Sequence, residues 1–134
     1  MNIEAVEQES KKDDEVIDVP IKDRNGKPYT TPTGPTVWQC VGQYSAAYRK
    51  AQREVDDKYQ RREITSPEER ELFAAERVAC GVVGWKNVYG GTEPAKFSRE
   101  GAARILVKAP WVMKQLILPI NEHAGFFAPG SQSS

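Results

Sequence analysis

The sequence predicts an α+β fold in which a small N-terminal β element is followed by about four α-helices, so the domain is mainly helical. Three observations predict it. Short stretches within residues 16–41 alternate β-branched and polar residues, which is the period of a half-buried strand. Residues 43–127 instead carry apolar residues three and four apart, the period of a helix face. Gly- and Pro-rich breaks separate the segments. We expect one domain over 15–127, with the β element in 15–42.

The two ends of the chain differ in charge. Residues 1–18 hold seven acids and two lysines, whereas residues 77–134 hold seven bases and three acids. The neutral total of 19 basic and 19 acidic residues thus hides an asymmetry that can steer association between copies or with a partner. Residues 1–14 lack apolar periodicity and are predicted to be a disordered acidic tail. Residues 128–134 are predicted to be a flexible C-terminal tail.

The first strand is predicted around residue 19. Ile17, Val19 and Ile21 stand two apart and share one face, while Asp18 and Pro20 fall on the other. A proline cannot donate a hydrogen bond to a neighbouring strand, so this strand is expected at a sheet edge.

A turn and a second strand follow. The Asn-Gly pair at 25–26 favours a tight turn because both residues tolerate positive φ. Residues 27–31 are expected to begin a return strand. After a Pro-rich break, residues 36–41 are rich in β formers and predict another strand, with Trp38 and Cys40 on one face.

The first long helix is predicted to begin after Gln43. It carries a thin, aromatic apolar stripe made of Tyr44, Tyr48, Ala51, Val55 and Tyr59. Such a stripe predicts weak packing within the chain or packing against another subunit. We therefore assign Tyr48 and Tyr59 to contact between copies.

The second helix has a strong start signal. Ser66 can cap it, Pro67 suits its first position, and Glu69 completes a capping box. Its apolar residues make it the expected core helix, running through Val83 with Gly84 as its C-cap.

The last third begins with a predicted loop over residues 85–97. Ser98 is expected to cap the next helix, Pro110 to begin the last one, and Pro119 to kink or restart it. Residues 111–127 carry more large apolar groups than a small chain is expected to bury, which predicts a protein-binding surface. The assigned partner-binding residues are Trp111, Leu116, Ile120, Phe126 and Phe127. The alternative is that these side chains belong to the core.

The composition disfavours catalysis. His123 is the one histidine, and no nucleotide-binding, metalloprotease or hydrolase motif occurs. Three cysteines and histidines are too few for a tetrahedral zinc site, which needs about four such ligands. Cys40 and Cys80 are expected to be buried free thiols. We therefore predict a binding protein, not an enzyme, with no cofactor and no metal.

The composition also bears on partners and location. A net charge of zero gives no reason to expect a nucleic acid or membrane partner. No window approaches the ~18 consecutive apolar residues of a membrane helix, and the first residues lack the apolar run of a signal peptide. A reducing cytoplasm is the expected location.

Six short segments occur in a typical order. The first three are a strand followed by Asp-Arg-Asn-Gly (20–27), a strand followed by Gly and Tyr-Arg (37–49), and a Gly-Trp turn (82–88). The last three are a Phe-Ser-x-Glu helix start (96–102), a Pro-Trp-x-x-x-Gln segment (109–116) and an aromatic pair (126–127). In this order they resemble the tail assembly chaperones of long-tailed, siphovirus-type bacteriophages over roughly residues 16–127. Gly101 stands where the family usually has Asn, and Gly90-Gly91 lengthens a loop.

The resemblance implies a function. Such chaperones bind the long, apolar tape measure protein, keep it soluble, and give way as tail tube subunits polymerise around it. It implies the tape measure protein as partner, with the tail tube protein as a second candidate partner. It also implies self-association into a homo-oligomer, the host cytoplasm as location, and absence from the mature virion. The alternative is a structural virion protein, such as a minor tail or head–tail joining component. A small DNA-binding regulator of phage origin is a further rival, whose affinity would fall steeply with salt.

Overall fold

The computed structural model describes residues 1–60 and 62–122 and confirms the α+β class. Four helices follow the N-terminal strands, as predicted, and a further helix precedes them. The elements in chain order are α1 (Ile3–Lys12), β1 (Ile17–Pro20), β2 (Thr30–Thr31), β3 (Gly34–Pro35), β4 (Val37–Cys40), α2 (Ala46–Gln60), α3 (Pro67–Ala79), β5 (Val82–Lys86), β6 (Tyr89–Gly90), β7 (Glu93–Pro94), α4 (Arg99–Lys108) and α5 (Pro110–Asn121).

The central sheet has three antiparallel strands in the order β1-β4-β5. Val19 lies opposite Trp38, which in turn lies opposite Trp85. Strand β1 lies at the edge of the sheet, as predicted. An edge strand tolerates Pro20, which has no N–H to donate, because no strand in the described residues pairs with its outer side. The β2–β3 and β6–β7 pairs form two separate two-stranded ladders. The predicted return strand after the turn is short, consisting of an isolated bridge between Lys22 and Pro28 and then β2.

The course of the chain after α3 differs from the prediction. The helix ends at Ala79, and Val82–Lys86 forms β5, so Gly84 lies in a strand and is not a helix cap. The expected loop that follows also contains the β6–β7 ladder. Val82 and Val83 are β-branched and favour a strand, but the pairing of β5 with β4 decides the outcome. That pairing is long-range, so local periodicity did not reveal it.

The expectation of a disordered tail over residues 1–14 is wrong for its larger part, since Ile3–Lys12 forms α1. The Asn2 side chain caps the helix by accepting hydrogen bonds from the backbone N–H groups of Glu4 (2.8 Å) and Ala5 (3.3 Å). Lysines in the last turn suit the negative end of the helix dipole. None of the ten residues of α1 is buried.

The core has two parts. The main cluster lies where the sheet packs against α3, α4 and α5, and it contains Val19, Ile21, Trp38, Cys40, Ala75, Ala79, Val82, Ala102, Ala103, Leu106, Ala109, Val112, Leu116 and Ile120. A smaller cluster lies beneath α2 and consists of Ala51, Val55, Tyr59 and Cys80, with Ile64, Phe73 and Tyr48 against it. The α2 helix therefore packs mainly on its own small cluster.

Ion pairs also attach α2. Lys58 Nζ lies 2.8 Å from Glu76 Oε1, and an Arg77 guanidinium nitrogen lies 3.1 Å from Asp56 Oδ1. A third pair joins Glu54 to Arg99 of α4 at 3.1 Å. Partly exposed pairs of this kind contribute about 0–1 kcal/mol each, so they supplement the small cluster and do not replace it.

Two glycines near β5 provide a matched test of packing. A Cβ on Gly81 would meet three Ile120 side-chain carbons at 2.7–2.8 Å, whereas one on Gly84 would meet the flexible end of Gln39 at 2.5 Å. We expect Gly81→Ala to lower the free energy of unfolding by about 1–3 kcal/mol, because Ile120 is confined in the core. Gly84→Ala should cost clearly less, because Gln39 can rotate away. Urea denaturation measures both free energies of unfolding. Equal losses in the two variants would contradict the close packing of Ile120 against Gly81.

Candidate protein-binding site

The α5 helix is apolar on both sides. Val112, Leu116 and Ile120 stand four residues apart and are 0–3% exposed, so this stripe faces the core. Leu116 and Ile120 had been assigned to partner contact. The structure instead gives them the alternative role of core residues, because the sheet and α3 cover this side of α5, and the folded domain does not present them.

Trp111 is half-buried and is held from two sides. Its indole N–H donates a hydrogen bond to the Tyr29 hydroxyl at 2.9 Å. The Arg24 guanidinium lies 4.8 Å from the ring centroid, within the range of a cation–π contact. Trp111, which was assigned to a partner, therefore joins the turn around Arg24 to the first turn of α5.

Gln115 makes a paired contact with the backbone of one residue, Lys22. Its Nε2 donates to the Lys22 carbonyl at 2.8 Å, and its Oε1 accepts from the Lys22 backbone N–H at 2.8 Å. Nε2 also donates to the Trp111 carbonyl at 2.8 Å. The side-chain amide thus takes the place of a neighbouring strand beside Lys22, which gives the Pro-Trp-x-x-x-Gln spacing a structural reason.

The arm formed by residues 21–36 does not close fully over the helices. A cavity of about 280 Å³ remains beneath it, with Trp38, Ile105 and Val112 among its apolar walls. The Thr33 hydroxyl at its rim donates to Asn87 Oδ1 at 2.6 Å. The arm is therefore held by the buried side chain of Ile21 and by polar contacts with Asn87 and α5.

The two tyrosines assigned to contact between copies pack within the chain. Tyr59 is 7% exposed, and its ring meets the Phe73 ring edge-on at 4.7 Å between centroids. Tyr48 is half-buried and touches both core clusters. Burial raises the pKa of both phenols. Tyr59 thus offers little surface to a second copy, whereas Tyr48 keeps part of its ring exposed.

The opposite side of α5 is exposed in the part of the chain that the structure describes. Ile117 and Leu118 are 41% and 46% exposed, which places them among the exposed large hydrophobic residues of the described chain. Helical spacing puts Lys114 and Asn121 between them, and both are also exposed. We call these four residues the α5 outer face. Lys114 is the one charged residue of the helix.

The sequence analysis missed this face. The four-residue spacing of Val112, Leu116 and Ile120 could have revealed it, because these residues occupy one side of the helix and leave Ile117 and Leu118 on the other. Phe126 and Phe127, the remaining assigned partner residues, and His123 lie outside the residues that the structure describes. They follow α5 directly in the chain.

The chemistry available in the described part of the chain is limited. Within residues 1–60 and 62–122, no group of three His, Cys, Asp or Glu side chains is placed to hold a metal ion. Of the helices in the same ranges, none combines the length and apolarity needed to cross a membrane. Cys40 and Cys80 are buried free thiols, as predicted. Burial raises the pKa of the Cys40 thiol to about 12 and that of Cys80 to about 11.

The comparison with known families identifies the origin of the chain. The model of a family described as "YdaY prophage protein" matches residues 40–129, well over half of the chain. The protein therefore belongs to this family and is phage-derived. The match includes α2 to α5, and it leaves out α1, β1 and the arm. No curated protein and no solved structure is significantly similar to the chain.

The contact between Gln115 and Lys22 can be tested by removing its donor. Gln115→Glu should lower the free energy of unfolding by about 0.5–1.5 kcal/mol, because the carboxylate leaves two carbonyls without the amide donor. Lys114→Gln, at the neighbouring exposed position, is the matched control and should stay near wild type. Urea denaturation gives both values, and a neutral Gln115→Glu would show that the contact contributes nothing to stability.

The thiols should be slow to react in the folded protein. Only the thiolate attacks a disulfide reagent, and burial keeps both thiols protonated at pH 8. Ellman's reagent should therefore label both rapidly in urea and only slowly without it, with Cys80 ahead of Cys40 because its pKa is lower. The Cys40→Ser and Cys80→Ser variants assign the two rates. Rapid labelling of Cys40 in the folded protein would contradict its buried placement.

Proposed function

We propose that this phage-derived protein is a tail assembly chaperone. It binds an apolar segment of the tape measure protein in the host cytoplasm and keeps it soluble. It then gives way as tail tube protein assembles around the tape measure, and it stays out of the mature virion. Its work is binding without chemical turnover. The observation that carries the proposal is the α5 outer face, two exposed aliphatic side chains on a helix whose other side is filled.

The character of this face suits such a partner. Contact between aliphatic side chains is non-directional and contributes roughly 25 cal/mol for each Å² of apolar surface that leaves water. It therefore tolerates many partner sequences along a long, repetitive segment. Ile117 and Leu118 provide a small anchor, and a small anchor can be displaced when a competing polymer assembles.

The segments that resemble tail assembly chaperones have structural roles here. Gly84 and Trp85 lie in β5, Ser98 caps α4 by accepting from the Gly101 N–H at 2.9 Å, and Gln115 holds Lys22. These positions therefore have structural roles, and Gln115 attaches α5 to Lys22. The partner-contacting residues are then expected between and after them, on the α5 outer face and in the aromatic pair Phe126-Phe127 that follows it.

Family membership supports the proposal at a coarser level. A protein of prophage origin acts within the phage programme, and tail assembly is one part of it. The structural-component alternative uses the same surface for permanent contact with other virion proteins. The two functions differ in whether the chain remains in purified particles.

The test is co-expression with the tape measure protein of the same phage. The wild-type chain should bring the tape measure into the soluble fraction and co-purify with it. Ile117→Asp combined with Leu118→Asp should abolish both effects, because charged groups cannot be buried unpaired against an apolar segment. Val83→Asp is the matched control, since Val83 is a 38% exposed aliphatic residue on β5.

Circular dichroism should show that all three proteins are folded. An insoluble tape measure in the presence of the wild-type chain would contradict the chaperone function. Equal activity of the double variant would place the binding site elsewhere. Finding the chain in purified virions would favour the structural-component alternative.

A further inference from the structure

The α1 helix carries an apolar stripe that residues 1–60 and 62–122 leave exposed. Ile3 and Val6 are three residues apart and therefore share a face, and they are 72% and 44% exposed. A helix of ten residues is marginal in water without packing, since isolated helices shorter than ~12–15 residues rarely persist. The stripe therefore calls for a covering surface.

The stripe has acidic borders. On a helix of 3.6 residues per turn, Glu7 follows Ile3 on one side of the stripe and Glu9 lies beside Val6 on the other. Ser10 continues the stripe along the helix. A surface that covers α1 should therefore offer aliphatic groups together with positive charge.

The α5 outer face has the complementary character. Ile117 and Leu118 provide the aliphatic groups, and Lys114 stands between them on the helix surface. The neighbouring α4 adds exposed bases at Arg104 and Lys108. In length the two helices are similar, about 15 Å for α1 and about 18 Å for α5 at 1.5 Å per residue.

The C-terminal end of α1 lies near the C-terminal end of α5. The Asp13 carbonyl accepts a hydrogen bond from the Gly42 N–H at 2.9 Å, and Asp14 Oδ1 accepts from the Ala46 N–H at 2.9 Å. The adjacent Gln43 donates to the carbonyls of Ile120 (3.0 Å) and Asn121 (2.9 Å). Each copy therefore presents the acid-bordered stripe of α1 and the α5 outer face from one region of its surface.

We propose that α1 of one copy docks its Ile3–Val6 stripe on the α5 outer face of a second copy, and that the second copy does the same in return. A contact that uses one patch twice closes on itself and gives a symmetric dimer. Both the apolar stripe and the charge pairs are formed twice across the two-fold axis. The proposal concerns the chain alone and does not depend on tape measure binding.

Sedimentation equilibrium of the purified full chain tests the apolar part. The wild type should be a dimer that weakens as salt rises, because charge pairs at its rim are screened. Ile3→Glu with Val6→Glu should make the protein monomeric. Ala5→Glu with Gln8→Glu adds the same charge on the opposite side of α1, where both residues are exposed, and should leave the dimer intact.

A charge exchange tests the pairing of the two surfaces. Lys114→Glu should raise the dimer dissociation constant about tenfold, the equivalent of ~1.4 kcal/mol. Adding Glu7→Lys and Glu9→Lys to this variant should return the constant to near the wild-type value. Circular dichroism checks that each variant is folded.

The remaining outcomes overturn the proposal. A monomeric wild type would mean that α1 stays on its own copy or remains uncovered. A dimer that survives Ile3→Glu with Val6→Glu would place the contact elsewhere, with the half-buried Tyr48 as the next surface to examine. If adding Glu7→Lys and Glu9→Lys does not restore the dimer of the Lys114→Glu variant, then α1 does not contact the α5 outer face. The tape measure co-expression remains a separate readout, because Ile3→Glu with Val6→Glu leaves the α5 outer face unchanged.

Discussion

The pairing of β5 with β4 is the contact on which the rest of the fold depends. It joins residues 37–40 to residues 82–86, and it places Trp38 opposite Trp85 at 5.4 Å between ring centroids. Gly81 immediately precedes β5, and the Ile120 side chain of α5 lies so close to it that a side chain at position 81 does not fit. Strand β5 thus supplies the third strand of the sheet and determines where the last helix, α5, packs.

The same arrangement determines what α5 can present. Its core side packs on the sheet and α3. Its first turn is attached to the arm through Trp111, and its second turn through Gln115. What is left is a face with two aliphatic residues and one lysine. The proposed partner and the proposed second copy would both use this face, so the two contacts would compete for it.

The elements that the sequence predicted well are those with local causes. Ser66 and Ser98 cap α3 and α4 as expected, because a capping hydrogen bond spans only three residues. Strand β5 was missed because its cause is a partner about 45 residues away. The exposed side of α5 was missed because the helix is largely apolar, and only Lys114 and Asn121 mark the side that faces solvent. The α1 helix was missed because its signals, the Asn2 cap and charge spacing, are weak against a polar composition.

The attachment of α2 has a consequence for how the protein opens. This helix rests mainly on a small cluster of its own and on three partly exposed ion pairs, and Tyr48 also touches the main core. An element held in this way can detach at a lower free energy than global unfolding requires. Such partial opening would uncover Phe73 and Cys80 while the sheet, α4 and α5 stayed assembled. The amide protons of α2 would then exchange with solvent ahead of those in β4 and β5, and rising ionic strength would widen the difference.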